Sequence, residues 1–304
     1  MGKRILNCVA SDFRKFSAEE LKLAIQAGEG RTVCCEMAIR HRPIIPELTH
    51  AEIASAFGGD LMLLNGFDCL NPKLYGVEGS SNPIERLKEL CGRPIGANLE
   101  PVDLEAEMLE TRLVIPAGRI CSKETLKSAE ALGLDFICLT GNPGTGVTNQ
   151  AIAQAIQKAK KYFTGVIIAG KMHGAGSKEP VMNRAIAKEL IEAGADILLV
   201  PAVGTVPGFT EEALIDIVQF AHEHETLVLS AIGTSQEGSS KEVIEQIAIR
   251  NKICGVDIQH IGDAGYGGLA DVNNIFALSV AIRGMRHTAV SYTHLRAHET
   301  RHDL

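Results

Sequence analysis

Short apolar segments of this chain repeatedly end in a side chain that can bind a polar ligand or transfer a proton. Burying such groups is unfavourable unless they have partners, so their recurrence at the ends of successive segments indicates a shared pocket. Carboxylate, imidazole and amine groups are the usual carriers of proton-transfer and covalent chemistry. The candidates of these types are Lys171, Glu36, Glu100 and His173. Further candidates for the pocket are Asn65, Asn98, Thr140, Asn142, His260 and Asp263.

Lys171 is the strongest single candidate, because it directly follows the apolar segment GVIIAG. A lysine at the mouth of a pocket is desolvated, which lowers its pKa and makes the amine available as a base or a Schiff-base nucleophile. It could instead remain a cation that holds a phosphate or carboxylate group. We prefer the second interpretation. Some of the other candidates also have purely structural interpretations, since Glu36 could pair with Arg31 or Arg40, and His260 could be a buried core residue.

Two glycine-rich loops follow the last two apolar segments, LVLSAI and GVDIQHI. Glycine lets the backbone come close to an anion, and the N-terminus of a following helix presents free N–H groups. We therefore predict a phosphate site formed by Gly233, Thr234, Ser235, Gly262, Gly265 and Gly267.

These loops and side chains are positioned by strands that alternate with helical segments. Most of the strands are continuous apolar runs, which is typical of parallel strands covered on both faces. An open doubly wound sheet would require a nucleotide-binding fingerprint after its first strand, but the segment IRHRPII contains no glycine. We predict a (β/α)8 TIM barrel over residues 31–288, after an N-terminal extension at 1–30. The predicted strands are 32–38, 60–65, 94–100, 136–140, 165–171, 196–202, 226–232 and 255–261.

Composition excludes several classes of function. The net charge of −7 argues against a nucleic-acid-binding surface, and the chain has no apolar run long enough to cross a membrane. The eight cysteines form no C-x-x-C pair, which argues against a zinc knuckle and indicates a reducing, cytoplasmic location. The sequence leaves open whether the chain forms a homo-oligomer.

The segment VSYTHLRAHETRHDL at residues 290–304 has none of the periodicity of the preceding chain. It resembles the translated sequencing adapter found at the ends of metagenomic reading frames. We therefore treat 289–304 as a separate artefactual tail that contributes nothing to the core, and its histidines as unrelated to metal binding.

The segment GDAGYGG is similar to the Asp-x-Asp-x-Gly-Tyr-Gly signature of the phosphoenolpyruvate mutase and isocitrate lyase superfamily, through Asp263, Gly265, Tyr266 and Gly267. The first aspartate is absent, the spacing is one residue short, and the segment follows the last strand instead of an early one. The catalytic carboxylates of that superfamily therefore cannot be transferred to this chain. As far as Thr288, the whole chain resembles uncharacterised bacterial barrel proteins sometimes labelled phosphonomutase-like.

These patterns predict an enzyme of lyase, aldolase or isomerase type that acts on a small phosphorylated metabolite at the carboxyl ends of the strands. Carboxylates suit Mg²⁺, which makes magnesium a possible cofactor, although the spacing contains no dedicated metal motif. The alternative is a non-catalytic barrel that binds a metabolite in a regulatory or scaffolding role, because the fold alone does not imply catalysis.

Overall fold

Eight parallel strands close into a barrel in chain order, with β8 paired to β1. The computed structural model describes residues 2–265 and 267–293. The predicted TIM barrel is confirmed, and every predicted strand is present, with observed bounds that equal the predicted ones or lie up to three residues inside them. The strands are β1 Thr32–Ala38, β2 Leu61–Asn65, β3 Ile95–Leu99, β4 Phe136–Leu139, β5 Val166–Gly170, β6 Ile197–Pro201, β7 Leu227–Ile232 and β8 Ile258–Ile261.

Helices connect the strands and cover the outside of the barrel. Most of them begin at a Ser, Thr or Asn whose side chain accepts a bond from the first turn, as Thr148 and Asn183 do. The helices described are α1 Ala10–Phe13, α2 Ala18–Gln26, α3 His50–Ala56, α4 Pro83–Cys91, α5 Lys123–Leu132, α6 Asn149–Ala159, α7 Arg184–Ala193, α8 Glu211–Glu223, α9 Lys241–Ile253 and α10 Val272–Thr293.

Side chains alternate between the barrel interior and the surrounding helices, because successive residues of a strand point to opposite faces. Cys34, Leu63, Cys138, Ile168 and Leu199 belong to the interior cluster. Their sequence neighbours pack with the helices in a separate cluster. Both faces are apolar, so the strands are nearly continuous apolar runs.

The N-terminal extension closes the amino end of the barrel. Ile5 and Leu6 lie in a short 3-10 helix, and with Leu21 and Ile25 they join the interior cluster. Residues 4–10 therefore act as a plug and form no strand of the barrel. Helix α2 begins with a capping box at Ser17, in which Glu20 N donates to Ser17 Oγ and Ser17 N donates to Glu20 Oε2.

The last helix continues past the predicted boundary at 288/289. Helix α10 is described as far as Thr293, with a kink at the non-helical Gly284, and Ser291 is buried, with its carbonyl and hydroxyl oxygens each 2.8 Å from Arg93 Nη2. The expectation that everything from 290 onward lies outside the core is therefore wrong at Ser291, while residues 294–304 lie outside the described part of the chain. No helix within the described residues is long and apolar enough to span a membrane.

Candidate active site at the carboxyl end of the barrel

A cavity of about 420 Å³ opens at the carboxyl ends of the strands. This is the position at which TIM-barrel enzymes carry their catalytic residues. A larger groove of about 640 Å³ lies beside helix α8, but two of its three charged residues, Glu211 and Arg250, pair with each other. We therefore place the site in the smaller cavity. The predicted residues that line this cavity are Glu36, Asn65, Asn98, Thr140, Asn142, His173, Gly233, Thr234, Ser235 and Asp263.

Asp263 lies in the loop after β8 and accepts a 2.8 Å hydrogen bond from Asn65 Nδ2. Burial raises the pKa of the Asp263 carboxyl, and the Glu36 carboxylate nearby raises it further, to about 7. The bond from Asn65 and the neighbouring His260 act in the opposite direction. A carboxyl that titrates near neutral pH inside a cavity can both accept and return a proton.

A chain of hydrogen bonds through Asn142, Glu100 and Arg119 fixes the orientation of Asn65. Asn65 and Asn142 exchange two bonds of 2.9 and 3.0 Å between their side-chain amides. Asn142 donates from both its side chain and its backbone to Glu100, at 3.0 Å each. Glu100 in turn forms a buried ion pair with Arg119. Asn142 is thereby held in one orientation, which also orients Asn65 toward Asp263.

The prediction that Glu100 belongs to the catalytic site needs correction. Glu100 does not line the cavity, and both of its oxygens accept bonds from Asn142, one of them also from Arg119. Glu100 therefore orients Asn142, and through it Asn65, and is not placed to touch a substrate in the cavity.

Glu36 and Asn98 face the cavity from β1 and β3. Asn98 Nδ2 donates a 2.7 Å bond to Glu36 Oε1. His260 lies beneath them in the barrel interior, with Nε2 3.2 Å from Glu36 Oε2. This contact is a close approach of the two groups and not a hydrogen bond, and neither ring nitrogen of His260 has a hydrogen-bond partner among the described residues. His260 does not line the cavity and influences it through Glu36 and Asp263.

His173 enters the cavity from the loop after β5. The backbone N–H of Ala175 donates to its Nδ1 at 3.0 Å, so this nitrogen carries no proton and the neutral ring has its proton on Nε2. Burial lowers the pKa of His173, which also favours the neutral form. His173 therefore brings a neutral imidazole to the cavity.

The predicted position of Lys171 is wrong. Lys171 is the first residue after β5, and it is buried but does not line the cavity. Its amine forms an ion pair with Glu179 and a 3.1 Å bond with Ser177, at the far end of the loop that carries His173. Burial lowers the pKa of Lys171, and the bond with Glu179 offsets only part of this effect. Lys171 anchors this loop and does not reach the cavity.

The predicted phosphate cradle is only partly assembled. Gly233, Thr234 and Ser235 line the cavity, whereas the three glycines after β8 do not. Gly262 packs against Glu237, such that an added Cβ would lie 2.6 Å from Glu237 Oε1. The loop of Gly265 and Gly267 turns toward the β1 side of the barrel. There the Gly267 carbonyl lies 2.6 Å from His50 Nε2.

Two acidic residues that line the cavity, Glu237 and Glu110, were not predicted from the sequence. Glu237 is buried and lines the cavity, although it lies in the polar segment SQEGSS, which resembles an exposed loop. Burial raises its pKa. Glu110 lines the rim from the long loop after β3, where no local pattern marks it. Both positions depend on contacts between distant loops.

The donor atoms do not form a ready-made magnesium site. Among residues 2–265 and 267–293, no three His, Cys, Asp or Glu side chains come together as metal ligands. Glu36 and Asp263 are instead engaged by Asn98 and Asn65, respectively. We therefore assign no chemical step to a metal ion.

The sequence profile of a family described as "Domain of unknown function (DUF7916)" matches residues 6–296. The chain belongs to this family. No curated protein matches its sequence at a significant level. A solved structure of 2,3-dimethylmalate lyase, a member of the PEP mutase/isocitrate lyase superfamily, is similar with a TM-score of 0.51 and 13% identity, covering 80% of each chain. Thiamine phosphate pyrophosphorylase from Pyrococcus furiosus aligns with a TM-score of 0.48 and 14% identity, covering 84% of this chain and 96% of the other.

At these identities the solved structures show a shared fold and nothing about the reaction. The family match and the similarity to 2,3-dimethylmalate lyase show a DUF7916 barrel with a structural neighbour in the PEP mutase/isocitrate lyase superfamily, which is the coarser part of the resemblance seen in the sequence. Of the GDAGYGG segment, Asp263 lies in the cavity, whereas Gly265 and Gly267 do not, and Tyr266 falls outside the described residues.

Proposed function

We propose that this DUF7916 chain is an enzyme that transfers a proton to and from a small polar metabolite, in a reaction of lyase or isomerase type. The observation that carries the proposal is Asp263, a carboxyl in the barrel mouth with a pKa of about 7. A general acid or base works best when its pKa lies near the working pH.

Asp263 as a carboxylate takes a proton from a carbon of the substrate and becomes a neutral acid. It then returns that proton to the product, so the enzyme ends as it began. Asn65 keeps the carboxyl in place through its 2.8 Å bond. His173, neutral with its proton on Nε2, supplies a donor for an oxygen that gains charge during the step.

Lys171 has no part in this proposal, since its amine is bound to Glu179 and Ser177 outside the cavity. A Schiff-base aldolase reaction therefore has no amine to begin it among the described residues that line the cavity. The phosphorylated substrate expected from the sequence stays a prediction.

The test is exchange of carbon-bound hydrogen in deuterated water, followed by proton NMR for a panel of amino, hydroxy and oxo acids. Exchange in the native protein should fall by about 10²–10⁴-fold in Asp263→Asn. It should persist in Asp216→Asn, a half-exposed aspartate on α8 that pairs with Arg184. Exchange that survives Asp263→Asn would overturn the proposal. Binding without exchange or turnover would favour the non-catalytic, metabolite-binding alternative.

A further inference from the structure

Three side chains that line the cavity each carry a buried oxygen atom with no hydrogen-bond partner among the described residues. The three atoms are Asn98 Oδ1, Thr140 Oγ1 and Glu237 Oε2, in side chains that are 3%, 2% and 3% exposed. Buried polar atoms of folded proteins are almost always paired, so these three side chains mark a place where a bound molecule can donate hydrogen bonds.

The unpaired atom of Asn98 is an acceptor for a definite reason. Its Nδ2 donates to Glu36 Oε1 at 2.7 Å. A carboxylate accepts hydrogen bonds and cannot donate them, so the amide nitrogen must face Glu36 and the amide oxygen is left without a partner. Glu237 is fixed similarly, because its Oε1 accepts from Ala264 N at 3.2 Å while Oε2 remains unpaired.

The charges that line the cavity have the same sign. Glu36, Glu110, Glu237 and Asp263 are all acidic, and no lysine or arginine of the described chain is among the lining residues. A phosphate or carboxylate group would therefore meet repulsion, whereas a cation that donates hydrogen bonds would satisfy both the charges and the unpaired acceptors.

We propose that the cavity recognises a small metabolite through a protonated primary amine, which donates to Asn98, Thr140 and Glu237. This inference rests on the proposed function in that it names the substrate class of the same site. The three N–H donors of an ammonium group equal the unpaired acceptors in number. An organic cation fits better than a bare divalent ion, because no three metal-ligating side chains converge in the described part of the chain.

Ionisation of the cavity should couple to this recognition. Asp263 is faced by Glu36, Glu237 and His260, and its carboxyl gains a negative charge as pH rises through about 7. Amine affinity should therefore rise over this interval, as long as the amine itself stays protonated.

Binding can be measured on the native full-length chain by saturation-transfer NMR and calorimetry. The probes are ethanolamine, ethylene glycol as its uncharged analogue, inorganic phosphate, and magnesium chloride. We expect ethanolamine to bind in preference to the other three. Glu237→Gln should weaken ethanolamine binding by about tenfold or more. Glu245→Gln, which removes an exposed carboxylate that pairs with Lys241 on α9, should leave it unchanged.

If Glu237→Gln fails to fold, Thr140→Val removes one acceptor at nearly constant volume and should also weaken the binding of ethanolamine. Equal binding of ethylene glycol, or preferred binding of phosphate or of magnesium alone, would overturn the proposed recognition. Proton exchange on substrates that lack an amine would contradict the proposed amine recognition and leave the proposed function intact. Selective binding of amines with no proton exchange would support the amine recognition and contradict the proposed function.

Discussion

Asn65 and Asp263 are joined by a 2.8 Å hydrogen bond from the end of β2 to the loop after β8. These two strands are not neighbours, since β1 lies between them. The bond therefore spans the mouth above β1 and holds the proposed acid–base group over the cavity. It also stabilises the charged form of Asp263, against the effects of burial and of Glu36.

Asn65→Ala should raise the pKa of Asp263 above 7, because it removes the hydrogen bond that lowers it. The titration can be followed by carbon-13 NMR of the aspartate carboxyls, whether or not the variant is active. The rate of proton exchange should require a correspondingly higher pH. Asn71→Ala, in the exposed part of the β2–α4 loop, is the matched control and should leave the titration unchanged. An unshifted Asp263 titration in Asn65→Ala would contradict this account.

Asp263→Asn should stabilise the protein at high pH. The folded-state pKa of about 7 lies above the unfolded value of 3.8, so the folded chain holds this proton more tightly. Between these values the wild type loses stability as pH rises, and the variant avoids that loss. The melting temperature of the variant relative to wild type should therefore increase from about pH 5 to about pH 8. Asp216→Asn should show no such increase. A difference independent of pH would mean that Asp263 is not desolvated.

The barrel could be predicted from sequence because its signal is repeated and local. Eight apolar runs of strand length alternate with helical segments, and the observed strands β1 to β8 fall within the predicted bounds. Polar side chains at strand ends were also sufficient to locate Glu36, Asn98 and Asp263 in one cavity. Topology alone brings such positions together.

The face on which a side chain lies could not be predicted where both faces of a strand are apolar. In β5, Ile167 and Ile168 are equally hydrophobic, yet one packs against helices and the other fills the barrel. The segment GVIIAGK therefore contains no pattern that shows whether the Lys171 side chain enters the cavity or lies outside it. Glu237 was missed for a different reason, because its burial depends on a loop that packs against Ala264 and Asn274.

Lys171→Met should destabilise the fold without removing a nucleophile. It breaks the contacts with Glu179 and Ser177 that anchor the β5 loop, and hydrogen bonds to charged groups contribute about 1.5–3 kcal/mol each. The free energy of unfolding in urea measures this loss. Lys178→Met, in the exposed pair with Glu107, should cost about 0–1 kcal/mol. Borohydride trapping with carbonyl compounds should give no adduct on Lys171, and an adduct there would restore the Schiff-base interpretation.

Gly267→Ala should reduce stability and leave ligand binding in the cavity unchanged. Gly267 has a φ of +78°, and an added Cβ would lie 2.9 Å from Ile44 Cγ1. The left-handed conformation costs a residue with a side chain about 1–2 kcal/mol. Gly238→Ala is the control, since its Cβ would meet no atom within 4 Å. A loss of anion or amine affinity in folded Gly267→Ala would return the β8 glycines to the binding site.

Truncation at two points separates the end of the barrel from the segment beyond it. A chain that ends after Val290 loses Ser291, whose two oxygens accept from the buried Arg93 guanidinium at 2.8 Å. Loss of these acceptors should lower the free energy of unfolding by about 1–3 kcal/mol, since a buried charged donor is left without them. A chain that ends after Thr293 keeps both bonds and should melt within the small range of neutral changes. The melting temperatures of the two truncated chains, compared with that of the full-length chain, measure this difference. Equal melting temperatures would show that Ser291 contributes nothing and that 290–304 behaves as the sequence predicted.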